Sequence, residues 1–195
     1  MKIFTFLMLF AIPYFCSSQN KTRIGAFAEY SENFNSRNIS GGLNLELLIG
    51  NTERFALNYK FNAGASSDKA FYFHSTLGGF AGGFILSKLG NTGFEAVNTL
   101  GFFLCFVPEG VTFYANPESK LSPGFYINPL GSDYWFKKNN YETFKVSGEL
   151  GGKIMLNHTE KFAIQGHVGL KYLYGPKTIE PLFITAGIGI LFTDL

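Results

Sequence analysis

Residues 50–64, GNTERFALNYKFNAG, open with a turn and then alternate strictly between apolar and polar positions. Phe55, Leu57, Tyr59, Phe61 and Ala63 share one face; Ala56, Asn58, Lys60 and Asn62 share the other. A period of two over this length predicts a β-strand with two unlike faces. The pattern recurs at 39–49, where Leu43, Leu45, Leu47 and Ile49 oppose Asn44 and Glu46. At 144–156, Phe144, Val146, Leu150, Ile154 and Leu156 oppose Lys145, Ser147, Glu149 and Lys153. At 162–174, Phe162, Ile164, Val168, Leu170 and Tyr172 oppose Gln165, His167 and Lys171. The last such segment, 182–192, sets Ile184, Ile188, Ile190 and Phe192 against Thr185, Gly187 and Gly189. Segments 23–30, 70–86 and 94–107 bring the expected strands to eight, although 70–86 carries Phe and Gly on both parities.

The connections alternate in length. One set is compact (50–54, 87–93, 157–161), and the opposite set contains a long segment, 108–141. Six of the seven prolines fall in 108–141 and 175–181, so none interrupts an expected strand. The segment 39–61 also aligns without gaps to 146–168, sharing a Thr-Glu-basic-Phe-Ala run across the turn. Duplicated hairpins give such a repeat, and so do similar turns that demand similar residues.

Composition decides which solvent each face sees. Charged residues make up 15% of the chain and aromatics 17%, where a soluble domain carries about 25% charged residues. The net charge of +2, without a basic run, gives no reason to expect nucleic acid. At the N-terminus, Lys2 precedes a mostly apolar run from Ile3 to Phe15 and then small residues. That is the layout of a secretory signal peptide, expected over residues 1–18. Its removal would leave Cys105 as the lone cysteine, with no intramolecular disulfide to form. Beyond this leader no apolar run is long enough for a membrane-spanning helix.

An eight-stranded barrel has an interior just wide enough for side chains to fill it. Rows of Phe, Leu, Ile and Tyr fit that space poorly, whereas Gly, Ala, Ser and Asn with scattered Glu, Lys and His fit it well. The apolar rows are therefore assigned to lipid. Phe55, Phe94, Phe162 and Phe192 stand near one end of the strands, and Tyr30, Tyr172 and Tyr174 near the other, as two aromatic girdles require. On these features the chain resembles the small eight-stranded outer-membrane barrels of the OmpA/OmpX type. The resemblance implies an all-β, up-and-down antiparallel transmembrane β-barrel over residues 19–195, monomeric, exported, in the cell outer membrane and in contact with its lipid. Such barrels commonly end in an aromatic residue, whereas here Phe192 is followed by Thr-Asp-Leu.

The polar rows predict a lumen network of Glu46, Lys60, Lys145, Glu149, Lys153, His167 and Lys171, paired or wetted because isolated buried charge is costly. Catalysis needs a nucleophile, a base and an orienting group together. The best pair is His74 and Ser75, in a segment that resembles the His-x-Ser-Asn pattern of lipid-A deacylases, with Thr76 and Leu77 in place of its Ser and Asn. Neighbours on a strand point to opposite faces, which works against this pair. No metal or cofactor motif is present in the sequence. The 108–141 segment carries the only Trp. It is read as a long outer loop whose Tyr126, Tyr134, Trp135, Lys137 and Lys138 would meet a surface or envelope partner, or would extend the neighbouring strands. The expected role is non-enzymatic, envelope-structural or surface-interacting. The alternatives are a lipid-modifying enzyme, a narrow solute channel and a soluble lipocalin-like binder of an apolar ligand.

Overall fold

The alternation that begins at Phe55 continues to Ser66 as one strand, with Ala56, Asn58, Lys60 and Asn62 buried and Phe55 and Phe61 exposed. The computed structural model of the chain describes residues 21–50, 52–76, 107–136, 142–174 and 181–193. Within them lie nine strands: β1 (Thr22–Glu32), β2 (Arg37–Ile49), β3 (Phe55–Ser66), β4 (Phe71–Thr76), β5 (Gly110–Tyr114), β6 (Leu121–Phe136), β7 (Glu142–Thr159), β8 (Phe162–Tyr174) and β9 (Leu182–Thr193). Every pairing is antiparallel, and β1 pairs with β9, so the sheet closes on itself. The result is the closed eight-position β-barrel expected from the sequence, with no helix among the described residues.

Nine strands fill eight wall positions because β4 and β5 share the fourth. β3 pairs with β4 through Phe61–Ala65 and with β5 through Phe55–Asn58, and β6 likewise pairs with both. Phe61 faces Ser75 and Asn58 faces Gly110. Continuing each ladder by one step sets Lys60 opposite Thr76 and Tyr59 opposite Glu109. Thr76 and Glu109 are thus neighbours in register, although residues 77–108 separate them in sequence. Backbone bonds seal the junction: Glu109 N donates to Asn58 O (2.8 Å) and Leu130 N to Glu109 O (3.1 Å). At the same height β6 bulges between Asn128 and Gly131.

This arrangement corrects the reading of 108–141 as an outer loop. β5 and β6 both lie in that range, and both are wall strands. The prolines that pointed to a loop sit where a strand tolerates them. Pro123 O accepts from Ala115 N, so its missing N–H faces a level that β5 has already left, and Pro129 lies in the bulge. The bulge also switches parity: Tyr126 and Asn128 point inward before it, and Asp133 and Trp135 do so after it. The expected strand at 70–86 is β4 over 71–76. Residues 77–86, most of the expected strand 94–107, Phe94, Cys105, Lys137, Lys138 and the leader 1–18 lie outside the described residues.

The barrel is inverted in polarity. Its buried side chains are mostly polar or charged, while Val168 (61% exposed) and Ile188 (63% exposed) stand on an apolar outer face. Phe55 packs on Phe113 (5.2 Å between ring centroids) and Phe162 on Phe192 (5.6 Å) at one end of that face. Tyr30, Tyr172 and Tyr174 stand at the other. Ten residues separate Phe162 from Tyr172 along β8, about 33 Å of strand. At the usual tilt that is about 25 Å of height, the thickness of an outer-membrane apolar band. The repeated hairpins β2–β3 and β7–β8 are four positions apart in the eight-position ring, and so stand opposite each other across the lumen.

Candidate functional site: the lumen

The inward rows form a floor and three clusters of charge. The floor, at the end where Phe55 and Phe162 lie, is apolar: Leu48, Ala56, Met155, Ala163 and Leu191 pack with the ring of Tyr114. Leu48 corresponds to Met155 in the sequence repeat, and Ala56 to Ala163, so each repeat supplies two of the six floor residues.

Above the floor, Glu46 on β2 is completely buried and gathers donors from four strands. Lys153 Nζ (2.9 Å), Tyr114 Oη (2.8 Å) and Gln165 Nε2 (3.2 Å) bond its carboxylate, and Arg23 Nη1 lies 3.9 Å away. Glu46 and Lys153 also correspond in the repeat and meet across the lumen. At mid-height Lys60 Nζ ion-pairs with both Glu29 and Glu149, at 3.2 Å for the latter. Glu149 accepts from Tyr126 Oη (2.6 Å) and Thr185 Oγ1 (2.7 Å), and Glu29 faces His167 Nε2 (3.2 Å). The space left among Lys60, Glu149, Lys153, Gln165 and His167 is about 20 Å³, room for about one water molecule.

Higher still, Asp133 on β6 is the centre. It accepts from Tyr72 Oη and Ser147 Oγ, and Lys171 Nζ lies 3.4 Å from it. His74 Nδ1 faces Asp133 Oδ1 at 3.1 Å, and His74 Nε2 faces Glu109 Oε1 at 3.1 Å. Lys145, half-buried and in register with Asp133, stands at the outer edge of this cluster.

The structure brings the predicted residues Glu46, Lys60, Glu149, Lys153, His167 and Lys171 into one space. The acids Glu29, Glu109 and Asp133 and the tyrosines Tyr72 and Tyr114 were missed, and Tyr126 was placed in a loop instead of the lumen. For Glu29 the signal was present, since Arg23 and Glu29 share a parity against Ile24, Ala28 and Tyr30. The aromatic residues assigned to loop recognition belong to the wall instead. Tyr126 and Trp135 point inward, with Trp135 Nε1 donating to Asn38 Oδ1 (3.2 Å), while Tyr134 is buried on the opposite face and stacks on Phe136. His74 and Ser75 diverge as neighbours on a strand must. His74 enters the lumen, whereas Ser75 lies on the other face, opposite Phe61, bonded to Ser132 Oγ (3.1 Å) and Thr76 O (3.0 Å). The pair makes no nucleophile–base contact. Glu29, Glu149 and His167 bring three ligand atoms within 4.8 Å of one another, but the Lys60 ammonium already ion-pairs with both carboxylates there.

Tight packing makes small changes costly. A Cβ at Gly169 would sit 2.2 Å from Tyr126 Oη and 2.8 Å from Leu150 O. Gly169→Ala is expected to lower the unfolding free energy by about 1–3 kcal/mol through overpacking. Adding Tyr126→Phe should recover part of that loss, although Tyr126→Phe alone is destabilising because it strips a bond from Glu149. Urea titrations of the two single variants and the double variant in lipid vesicles measure this coupling. Independent, additive effects would contradict the packing described.

A closed wall, apolar outside and filled inside by ion pairs over an apolar floor, defines a small eight-stranded transmembrane β-barrel. Among solved structures the chain is similar to Neisserial surface protein A, with a TM-score of 0.52 at 7% identity over 90% of this chain and 97% of that one. It also aligns with the N-terminal β-barrel domain of Pseudomonas aeruginosa OprF (TM-score 0.49, 12% identity, 90% and 100% covered). A third alignment is with Ail, the attachment invasion locus protein of Yersinia pestis (0.46, 12%, 91% and 100%). No family model and no curated protein sequence matches the chain. The likeness to the Neisserial protein is one of fold, and it bears out the resemblance to small eight-stranded outer-membrane barrels.

Proposed function

We propose that this is an exported outer-membrane protein whose barrel serves the envelope as a structural, non-conducting and non-catalytic element, acting as a monomer. One observation carries the reading: the lumen is occupied by interlocked ion pairs around a space of about 20 Å³ and is floored by packed apolar side chains. A solute path needs continuous free volume, and a hydrolase needs a base beside its nucleophile. The packed lumen argues against the first, and the divergence of His74 and Ser75 argues against the second. The apolar outer rows support the lipid partner, and the leader expected over residues 1–18 supports export.

Fractionation of the native host tests this. The protein should sediment with outer membranes and shift its gel mobility on boiling. The purified protein should pass no stepwise current in planar bilayers, with Glu46→Gln identical to wild type. Steady current altered by Glu46→Gln would make the protein a channel. Release as a soluble periplasmic protein would mean that the two faces are reversed.

A further inference from the structure

The fourth wall position is made from two pieces of chain, and one side chain bridges them at their junction. We propose that His74 is held as an imidazolium that clasps Glu109, at the start of the returning piece, to Asp133 of β6, and so closes the wall where it is broken.

Both ring nitrogens of His74 lie 3.1 Å from a carboxylate oxygen, Asp133 Oδ1 on one side and Glu109 Oε1 on the other. An ionised carboxylate only accepts, and a neutral imidazole donates from only one nitrogen. With a neutral ring, one of the two contacts would therefore set lone pair against lone pair, whereas the imidazolium satisfies both. Charge balance points the same way. Among the described residues the two carboxylates that His74 touches have one other cation within ion-pair distance, Lys171 beside Asp133, and a charged His74 supplies the second.

The surroundings fix Asp133 and leave Glu109 dependent on the ring. Asp133 is held from β4 by Tyr72, from β7 by Ser147 and from β8 by Lys171. Glu109 Oε2 is buried without a partner, as is Thr76 Oγ1 on the other side of the junction. Among the described residues His74 is thus the side chain that ties Glu109 into the lumen. Gly131 makes room for the clasp, since a Cβ there would lie 2.9 Å from His74 Cε1 and 3.1 Å from Glu109 Oε1. β5 is only five residues long, and its pairing with β3 and β6 starts beside this clasp.

Full-length protein refolded in lipid nanodiscs and labelled with ¹⁵N-histidine reads the protonation state directly. His74 should show both nitrogens protonated. Hydrogen exchange then reads the closure. His74→Gln should speed exchange of the β5 amides about tenfold or more, the size of one lost charge-assisted bond, and leave β8 unchanged. If His74→Gln fails to fold, Glu109→Gln removes the second carboxylate charge while keeping its shape. His74 should then become a neutral ring donating from Nδ1 to Asp133, with β5 exchange raised. A neutral His74 in the wild type, with the proton on Glu109 instead, would overturn the proposal. So would β5 exchange that is unchanged in the variant that folds.

Discussion

Replacing Lys60 by Met is expected to lower the unfolding free energy by about 3–5 kcal/mol, the usual consequence of stranding buried charge. Its ammonium is the cation between Glu29 and Glu149, and all three groups are buried. Met fills similar volume, so the loss is electrostatic rather than a cavity. Once the ammonium is gone the two carboxylates face each other across the lumen, and Lys171, 3.8 Å from Glu29, is the nearest remaining fixed cation. Adding Glu149→Gln should return roughly half of the loss. The amide keeps an acceptor for Tyr126 and Thr185 and removes the repulsion. Urea unfolding in lipid vesicles, followed by Trp135 fluorescence, measures both. If Lys60→Met falls within about 0.5 kcal/mol of wild type, the range of ordinary surface changes, the lumen is wet and screened rather than packed.

Ile188→Arg carries the next largest effect, and it tests the opposite face. Ile188 is in register with Ala28 on β1 and Gly166 on β8, and lies on the apolar exterior between Phe192 and Leu182. In water an arginine at a position 63% exposed would be nearly neutral. In a bilayer the same substitution near the midplane should cost about 2–4 kcal/mol. Phe192→Arg, in the aromatic girdle at the end of the same strand, should cost only about 0–1 kcal/mol as charge, beyond the packing lost with the ring. A cost that peaks at Ile188 and falls toward Phe192 locates the membrane on this face. A flat profile would place the face in water.

The alternation read from the sequence transfers to the structure wherever a strand runs without a break. β2, β3, β7, β8 and β9 keep their expected faces, and with them Glu46, Lys60, Glu149, Lys153, His167 and Lys171 reach the lumen. The failures fall at the fourth and fifth wall positions and have local causes. β5 is too short to display a period, and the bulge at residues 128–131 shifts the parity of β6 in mid-strand, so Tyr126 and Trp135 reach the lumen from even and odd positions alike. Prolines at a strand start and in a bulge then made a wall strand look like a loop. Asp133 and Glu109 were invisible for a further reason: they matter because of His74, and no local pattern brings together three residues so far apart in the chain.

The pairing of Glu46 with Lys153 across the barrel has a consequence for how the protein reaches its final form. These residues lie on strands that are not neighbours, so they meet only after the ring has closed, and only if every strand between them has the right stagger. A slip of one residue anywhere would turn a row of charges into the lipid. A slip of two would keep the faces but carry one partner about 6.6 Å along its strand, out of reach of the other. Misaligned closures therefore lack the bond that the correct one gains. The interior acts as a proofreader of assembly, rejecting rings that hydrogen bonds along the wall alone would accept.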